Sequence, residues 1–286
     1  MNDRLPATAG SWLRAASDTL KAEGIETPAL DARRLLLDGL KIPHSVIIAD
    51  PELALNDDEL AALQSMIERR LNREPVSRIL GVKEFWGRPF RIGPEVLDPR
   101  PDTETLIEAV LDASGEEEQR ILDIGAGSGC IAITLLAERP SWHGVATDIC
   151  GKALAVAGSN AERLSVADRL ELAETSWADG VAGPFGIICS NPPYIISEEI
   201  QVLAEEVRGH DPLRALDGGA DGLDAYRVIV PAAKNLLTSG GRLYLEIGAG
   251  QREAVCEIIG LAGLALNSVK QDIAGHDRIV AATRVP

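Results

Sequence analysis

Arg120-Ile121-Leu122-Asp123-Ile124 is an apolar run suited to a buried strand, and Gly125-Ala126-Gly127-Ser128-Gly129 follows it directly. Cys130 to Ala137 then reads as a helix. Strand, glycine loop, helix is a layout that lets backbone come close to a nucleotide-like ligand, because glycine carries no Cβ to block the approach. A dinucleotide fingerprint wants its third small residue where Cys130 stands, so the spacing leans away from that class. From here to the end of the chain, strand and helix patterns alternate. Strands are expected at 120–124, 143–147, 169–173, 185–190 and 240–247, with two more near 264–269 and 277–283. Alternation of this kind predicts an α/β fold, a seven-stranded doubly wound sheet built from parallel βαβ units.

Two further features fall at strand ends, where ligands of open α/β sheets collect. Asp148 closes the run Gly144-Val145-Ala146-Thr147, at about the offset from the glycine loop where an acid accepts from ribose hydroxyls. The competing reading of Asp148 is a helix N-cap. The second feature is Asn191-Pro192-Pro193-Tyr194, directly after Phe185 to Ser190. Each proline fixes φ and removes a donor, so the carbonyls of this turn are held in place to accept. One Asn oxygen and one such carbonyl match the two hydrogens of a planar –NH2 group, and a tyrosine ring can pack on its face. Taken alone, the same four residues are also consistent with a plain turn.

The N-terminal part has a different character. Trp12, Leu13, Ala16 and Leu20 recur at helical spacing, Ala29 to Leu40 reads as a second helix, and Asn56-Asp57-Asp58-Glu59 is a capping-box variant opening a third. These stripes are read as core. The expected division is a helical domain over 1–78 that positions substrate, a hairpin linker over 79–98, and a catalytic domain over 99–286. Residues 195–221 form a long polar insertion placed to act as a lid.

Asp98-Pro99-Arg100-Pro101-Asp102-Thr103-Glu104, with Arg73-Glu74-Pro75, Glu84-Phe85-Trp86-Gly87 and the segment Asp211 to Leu223, extends the pattern over nearly the whole chain from about residue 28. Together with the glycine loop, Asp148 and Asn-Pro-Pro-Tyr, these motifs resemble the release factor glutamine methyltransferases of the PrmC/HemK type. That family belongs to the class I, Rossmann-like methyltransferases that use S-adenosylmethionine. The resemblance implies methyl transfer to the side-chain amide of the glutamine in the Gly-Gly-Gln motif of peptide-chain release factors. It implies that Gly125, Ala126, Gly127, Ser128 and Gly129 wrap the methionine part of the cofactor, that Asp148 holds the ribose, and that Trp177 packs on adenine. Thr103, Glu104 and Asn191 would adjoin the cofactor. Asn191, Pro192, Pro193 and Tyr194 would bind the substrate glutamine, with Asn191, Pro192 and Tyr194 as the catalytic group. The chain departs from the family pattern at Ser176, where an acid is common, and at Asp211, where a Glu is common.

Composition bears on the partners. The net charge is −16. Residues 1–98 carry 13 basic and 16 acidic side chains, and the remainder 15 and 28. So acidic a catalytic half argues against stable nucleic-acid binding, which depends on neutralising phosphates. A local basic face at Arg69, Arg70 and Arg73 competes with a solvated helix end. The four cysteines lack C-x-x-C spacing, and no metal site is implied. Met1 to Pro6 has no apolar run of signal-peptide type, no stretch is suited to spanning a bilayer, and a cytoplasmic monomer is expected. The alternatives are a nucleic-acid exocyclic-amine (adenine) methyltransferase, an NAD-dependent dehydrogenase, and a non-enzymatic binding module with a vestigial pocket. The dehydrogenase leaves Asn-Pro-Pro-Tyr unexplained, and the vestigial module would require a broken motif.

Overall fold

The computed structural model describes residues 8–286, so the expectation about Met1 to Pro6 lies outside the described residues. Two compact units emerge. Among the described residues, one comprises 8–82 together with Glu205–His210, and the other comprises Lys83–Ala204 and Asp211–Pro286.

The first unit is helical: α1 (Ala9–Ala22), α2 (Pro28–Leu40), α3 (His44–Ala49), α4 (Asp57–Leu71) and α5 (Val76–Leu80). A Thr8/Ser11 capping box starts α1, and an Asn56/Glu59 box starts α4. Each satisfies amides that the first turn would otherwise leave unpaired. Pro28 opens α2, where its missing N–H costs nothing. Trp12, Leu20, Leu35, Leu36 and Leu63 are fully buried and form the core of this unit. The three arginines do not make a basic face. Arg70 is buried and donates to Asp31 at 2.7 Å, with Glu206 at 3.3 Å. Arg69 pairs with Glu74, and Arg73 donates to the Glu23 carbonyl. A buried arginine needs such pairing, since an uncompensated charge is costly.

The second unit begins at Lys83, one residue into the hairpin of β1 (Val82–Phe85) and β2 (Arg88–Arg91), whose Phe85 and Phe90 pack edge to face in the core. Then come α6 (Pro101–Asp112), β3 (Arg120–Ile124), α7 (Cys130–Glu138), β4 (His143–Asp148), α8 (Gly151–Arg163), β5 (Leu170–Glu174) and β6 (Phe185–Ser190). The short α9 (Glu205–Arg208) is followed by α10 (Asp224–Leu236), β7 (Leu237–Glu246), α11 (Arg252–Ala262), β8 (Ala265–Gln271) and β9 (Asp277–Thr283). The sheet order is β5-β4-β3-β6-β7-β9-β8. The expected parallel arrangement holds from β5 through β7, but β9 runs antiparallel to both its neighbours. The link from β8 to β9 is too short for a helical crossover, so these two strands must form a hairpin.

Strand order places the site. From β3 the chain moves outward to β4 and β5, then returns to β6 on the other side of β3. β3 and β6 run parallel, with Asp123 opposite Cys189, so their carboxyl ends leave the same edge side by side. Ser190 Oγ donates to the Ile124 carbonyl at 2.7 Å and ties these two ends together. This is the switch point at which such sheets hold ligands. Among the described residues no helix is long and apolar enough to cross a membrane.

Candidate active site

A cavity of about 690 Å³ opens over the carboxyl ends of β3, β4 and β6. Its wall includes Gly125, Ala126, Gly127 and Ser128 from the loop after β3, and Asp148 from the end of β4. Trp177 after β5, Asn191 and Pro193 after β6, and Thr103 on α6 complete the set of expected residues that it brings together, and Ser176, named only as a departure from the family pattern, lines it as well. Gly129, Pro192, Tyr194 and Glu104 do not line it.

Hydrogen bonds hold the glycine loop. Gly125 and Ala126 donate to the Thr147 carbonyl, and Gly127 N–H donates to Asp148 Oδ2 at 2.9 Å. Asp148 Oδ1 accepts from Cys150 N–H at 2.9 Å, so the acid also serves the chain entering α8. A Cβ built on Gly125 or Gly127 would meet no atom within 4 Å, so this stretch of cavity wall is bare backbone. Gly129 serves packing instead, because a Cβ there would stand 2.7 Å from Ile133 and 3.1 Å from Ala157. Beneath the loop, Asp123 Oδ2 accepts from Ala132 N–H at the start of α7, and burial pushes its carboxyl up to about 7. Sequence reading overlooked Asp123, although an acid inside an apolar strand is itself a signal.

Trp177 adopts a positive φ of 52°, a strained conformation for a bulky residue, and its carbonyl accepts from Thr147 Oγ1 at 2.6 Å. Ile149, 64% exposed, adds an apolar patch to the same wall. An exposed aliphatic side chain in a cavity is surface that a ligand would cover. Glu104 turns away, accepting from Trp86 N–H at 2.7 Å, which fastens the β1–β2 hairpin to α6. Arg100 lines the cavity and pairs with the nearly buried Asp211 at 2.5 Å, so the shorter acid at 211 has a local partner.

The Asn191 carboxamide is oriented by its neighbours. Its Nδ2 donates to Thr103 Oγ1 at 3.0 Å, and Thr103 Oγ1 donates to Glu246 Oε2 at 2.6 Å. With the nitrogen engaged, Oδ1 is left to accept. Among the described residues no hydrogen bond reaches the Pro192 carbonyl. The Tyr194 carbonyl accepts from Gln251 Nε2 at 2.9 Å, and its hydroxyl makes a long 3.4 Å contact to Glu246 Oε1. Burial, with Glu246 adding to it, pushes the Tyr194 phenol up to about 12, which removes it as a base near neutrality.

The segment after this turn is partly structured. Ile195 bridges Asp217, and Leu213, Arg214, Ala215 and Asp217 line the cavity, while 205–210 belong to the helical unit. Its glycines fit against the Asn-Pro-Pro-Tyr backbone. A Cβ on Gly218 would stand 2.8 Å from Tyr194 Cα. At Gly222, where φ is +74°, it would stand 2.4 Å from the Tyr194 carbonyl oxygen. Gly222→Ala therefore forces the turn to move. The expected cost is roughly 2–4 kcal/mol of stability, together with a drop of about tenfold or more in turnover, since misplacement at a reacting centre is costly. Thermal melts and steady-state kinetics check both, and a variant equal to wild type in each would show that the turn does not need this buttress.

The cavity suits S-adenosylmethionine. It offers a bare glycine loop, an acid at the ribose offset, and apolar surface at Ile149 and Trp177.

Comparison with known proteins adds to this. The PrmC N-terminal domain family matches residues 11–81, and the methyltransferase small domain family matches residues 98–207. A release factor glutamine methyltransferase of Cereibacter sphaeroides is 48% identical over 97% of this chain and 99% of its own length. One of Rhodospirillum rubrum is 46% identical over 96% of this chain and 83% of its own. Among solved structures, a methyltransferase from Pyrococcus furiosus matches with a TM-score of 0.55 at 17% identity, covering 78% of this chain and all of that one. That likeness speaks to the fold alone.

Proposed function

The chain belongs to the release factor glutamine methyltransferase family, and we propose that its cavity transfers a methyl group from S-adenosylmethionine to the glutamine side-chain amide of a Gly-Gly-Gln loop. The observation that carries this reading is the meeting, in one cavity, of the glycine loop, Asp148 and an Asn191 whose amide nitrogen is already committed to Thr103. When bound, S-adenosylmethionine supplies a methyl group on positively charged sulfur, a carbon open to a weak nucleophile. Gly125 to Ser128 and Asp148 would hold it, with Ser176 and Trp177 on the side of the base.

The chain's own work is to make an amide nitrogen nucleophilic enough. Resonance draws the nitrogen lone pair toward the carbonyl. Asn191 Oδ1 and the Pro192 carbonyl accept the two amide hydrogens, which orients the nitrogen and stabilises the positive charge that grows on it. Tyr194 packs beside the acceptor, and Gln251 and Gly222 hold the turn that carries it. Most of the gain comes from fixing nitrogen and methyl carbon at near-attack distance. Formation of the new N–C bond would be matched by cleavage of the methyl–sulfur bond, its electron pair staying on sulfur so that neutral S-adenosylhomocysteine leaves. The nitrogen then becomes acidic and its proton leaves to water, so no strong base is required.

The helical unit is assigned the task of positioning the protein substrate, the family's release factor. A single chain supplies every residue named, so a monomer suffices, and a translation factor as substrate puts the reaction in the cytoplasm. The test is mass spectrometry of a release factor incubated with enzyme and S-adenosylmethionine. The expected result is one added methyl on the Gly-Gly-Gln glutamine, with no transfer to DNA or RNA in parallel. Methylation of adenine with the release factor untouched would overturn the reading.

A further inference from the structure

We propose that Glu246, acting through Thr103, is a positioning residue that decides which end of the Asn191 carboxamide faces the acceptor amide. The proposal rests on the reading that Asn191 grips that amide. Glu246 closes β7 within an apolar run and is fully buried. An ionised carboxylate can only accept hydrogen bonds. Thr103 has one hydroxyl hydrogen and gives it to Glu246 Oε2 at 2.6 Å. Its oxygen can then only accept, and it accepts from Asn191 Nδ2. The direction of the whole chain is set at its buried end, and its consequence is an acceptor oxygen presented at its open end.

Protonation reverses this. With a proton on Oε2, Glu246 donates to Thr103, whose own hydrogen is freed to donate outward. The Asn191 oxygen is now the better partner for Thr103, and the carboxamide turns over. Its –NH2 then faces the –NH2 of the substrate, donor against donor.

Burial raises the Glu246 carboxyl to about 7, against the opposing effects of the Thr103 bond and of Arg278. The groups that face it are Asp102 and Thr103 on α6, Cys130 at the start of α7, Tyr194 on the turn, Tyr226 on α10 and Arg278 on β9. Cys130 and Tyr194 are both raised to about 12, Tyr226 lies well above its ordinary value, and Arg278 is raised from an already high one. Because the ionised carboxylate is the competent form, turnover should rise with pH through about 7 and fall below it. Asp123 is also raised to about 7, so a pH profile of the wild type alone does not identify the group.

The experiment combines kinetics with side-chain NMR on the full chain. Thr103→Val should lower kcat on a release factor by about tenfold to a hundredfold, whereas Thr103→Ser, which keeps the hydroxyl, should restore most of it. Glu246→Gln, which cannot ionise, should remove the acidic limb of the kcat profile. In the free wild-type protein, the ¹⁵N-labelled side-chain amide of Asn191 should be protected from exchange and shift with a midpoint near 7. That shift should vanish in Glu246→Gln. A Thr103→Val enzyme with wild-type kcat, or an unchanged acidic limb in Glu246→Gln, would overturn the proposal. So would an Asn191 amide that exchanges freely at every pH. The NMR arm needs no turnover, so it decides the relay even if the release factor proves not to be the substrate.

Discussion

Asn191→Ala is expected to lower turnover by about a hundredfold to a thousandfold, or roughly 3–4 kcal/mol of transition-state stabilisation. Truncation removes one of the two oxygens assigned to the acceptor amide. It also leaves Thr103 without its donor, so the hydroxyl no longer helps define the cavity wall. The interaction lost is one that strengthens as charge develops on nitrogen, so kcat should carry most of the loss. Cofactor binding should survive, because Asp148 and the glycine loop are held by β3, β4 and the Thr147 carbonyl, not by the β6 turn. Calorimetry with S-adenosylhomocysteine should therefore give an affinity within a few-fold of wild type. Comparable kcat for mutant and wild type, with release factor and cofactor both saturating, would remove Asn191 from the mechanism.

The difference between what the sequence revealed and what it hid follows from the range of the interactions. Strands such as Arg120–Ile124, Phe185–Ser190 and Asp277–Thr283 were legible because an apolar run bounded by glycine, proline or polar residues is a local signal. The Asn56 capping box was legible for the same reason. The direction of β9 was not, since alternation suggests parallel units and only the short turn between β8 and β9 speaks against a crossover there. The short α3 and α5 carry too few turns to show a period.

In the site, Asn191, the glycine loop and Asp148 stood out through their residue types and spacing, and the family resemblance pointed to Thr103, but Glu246, which accepts from Thr103, did not stand out. Glu246 lies 143 positions from Thr103, and only the sheet order brings them together. Its one local trace is an acid inside Leu243-Tyr244-Leu245-Glu246-Ile247, the same trace left by Asp123 in the first strand. A carboxylate in a buried strand is costly unless hydrogen-bonded, so such a residue marks a polar contact arriving from elsewhere. Thr103 and Glu104 show the opposite limitation. Neighbours on one helix turn, they diverge completely, one into the cavity and the other onto the hairpin. Sequence adjacency cannot separate two side chains whose directions differ by about 100° around a helix axis.

Asp148→Ala carries the second large effect, and it should fall on the other half of the reaction. In the structure the carboxylate accepts from Gly127 N–H and Cys150 N–H, each at 2.9 Å, so it ties the glycine loop to the start of α8. The expected ribose contact would use its remaining lone pairs, and ribose binding and capping then become two uses of one residue. Hydrogen bonds to a charged acceptor contribute about 1.5–3 kcal/mol each. Losing the ribose contact and loosening the loop should together weaken S-adenosylhomocysteine binding by a hundredfold or more, about 3 kcal/mol. Asp148→Asn separates the two uses, because an amide keeps one acceptor oxygen but turns a donor toward the other N–H. Binding by the Asn variant should lie between wild type and the Ala variant, while kcat at saturating cofactor should stay near wild type in both, since Asn191 and its turn are untouched. Titration calorimetry settles the first point and saturation kinetics the second. An Ala variant that binds S-adenosylhomocysteine as tightly as wild type would mean that Asp148 serves the loop alone and that the ribose is held elsewhere.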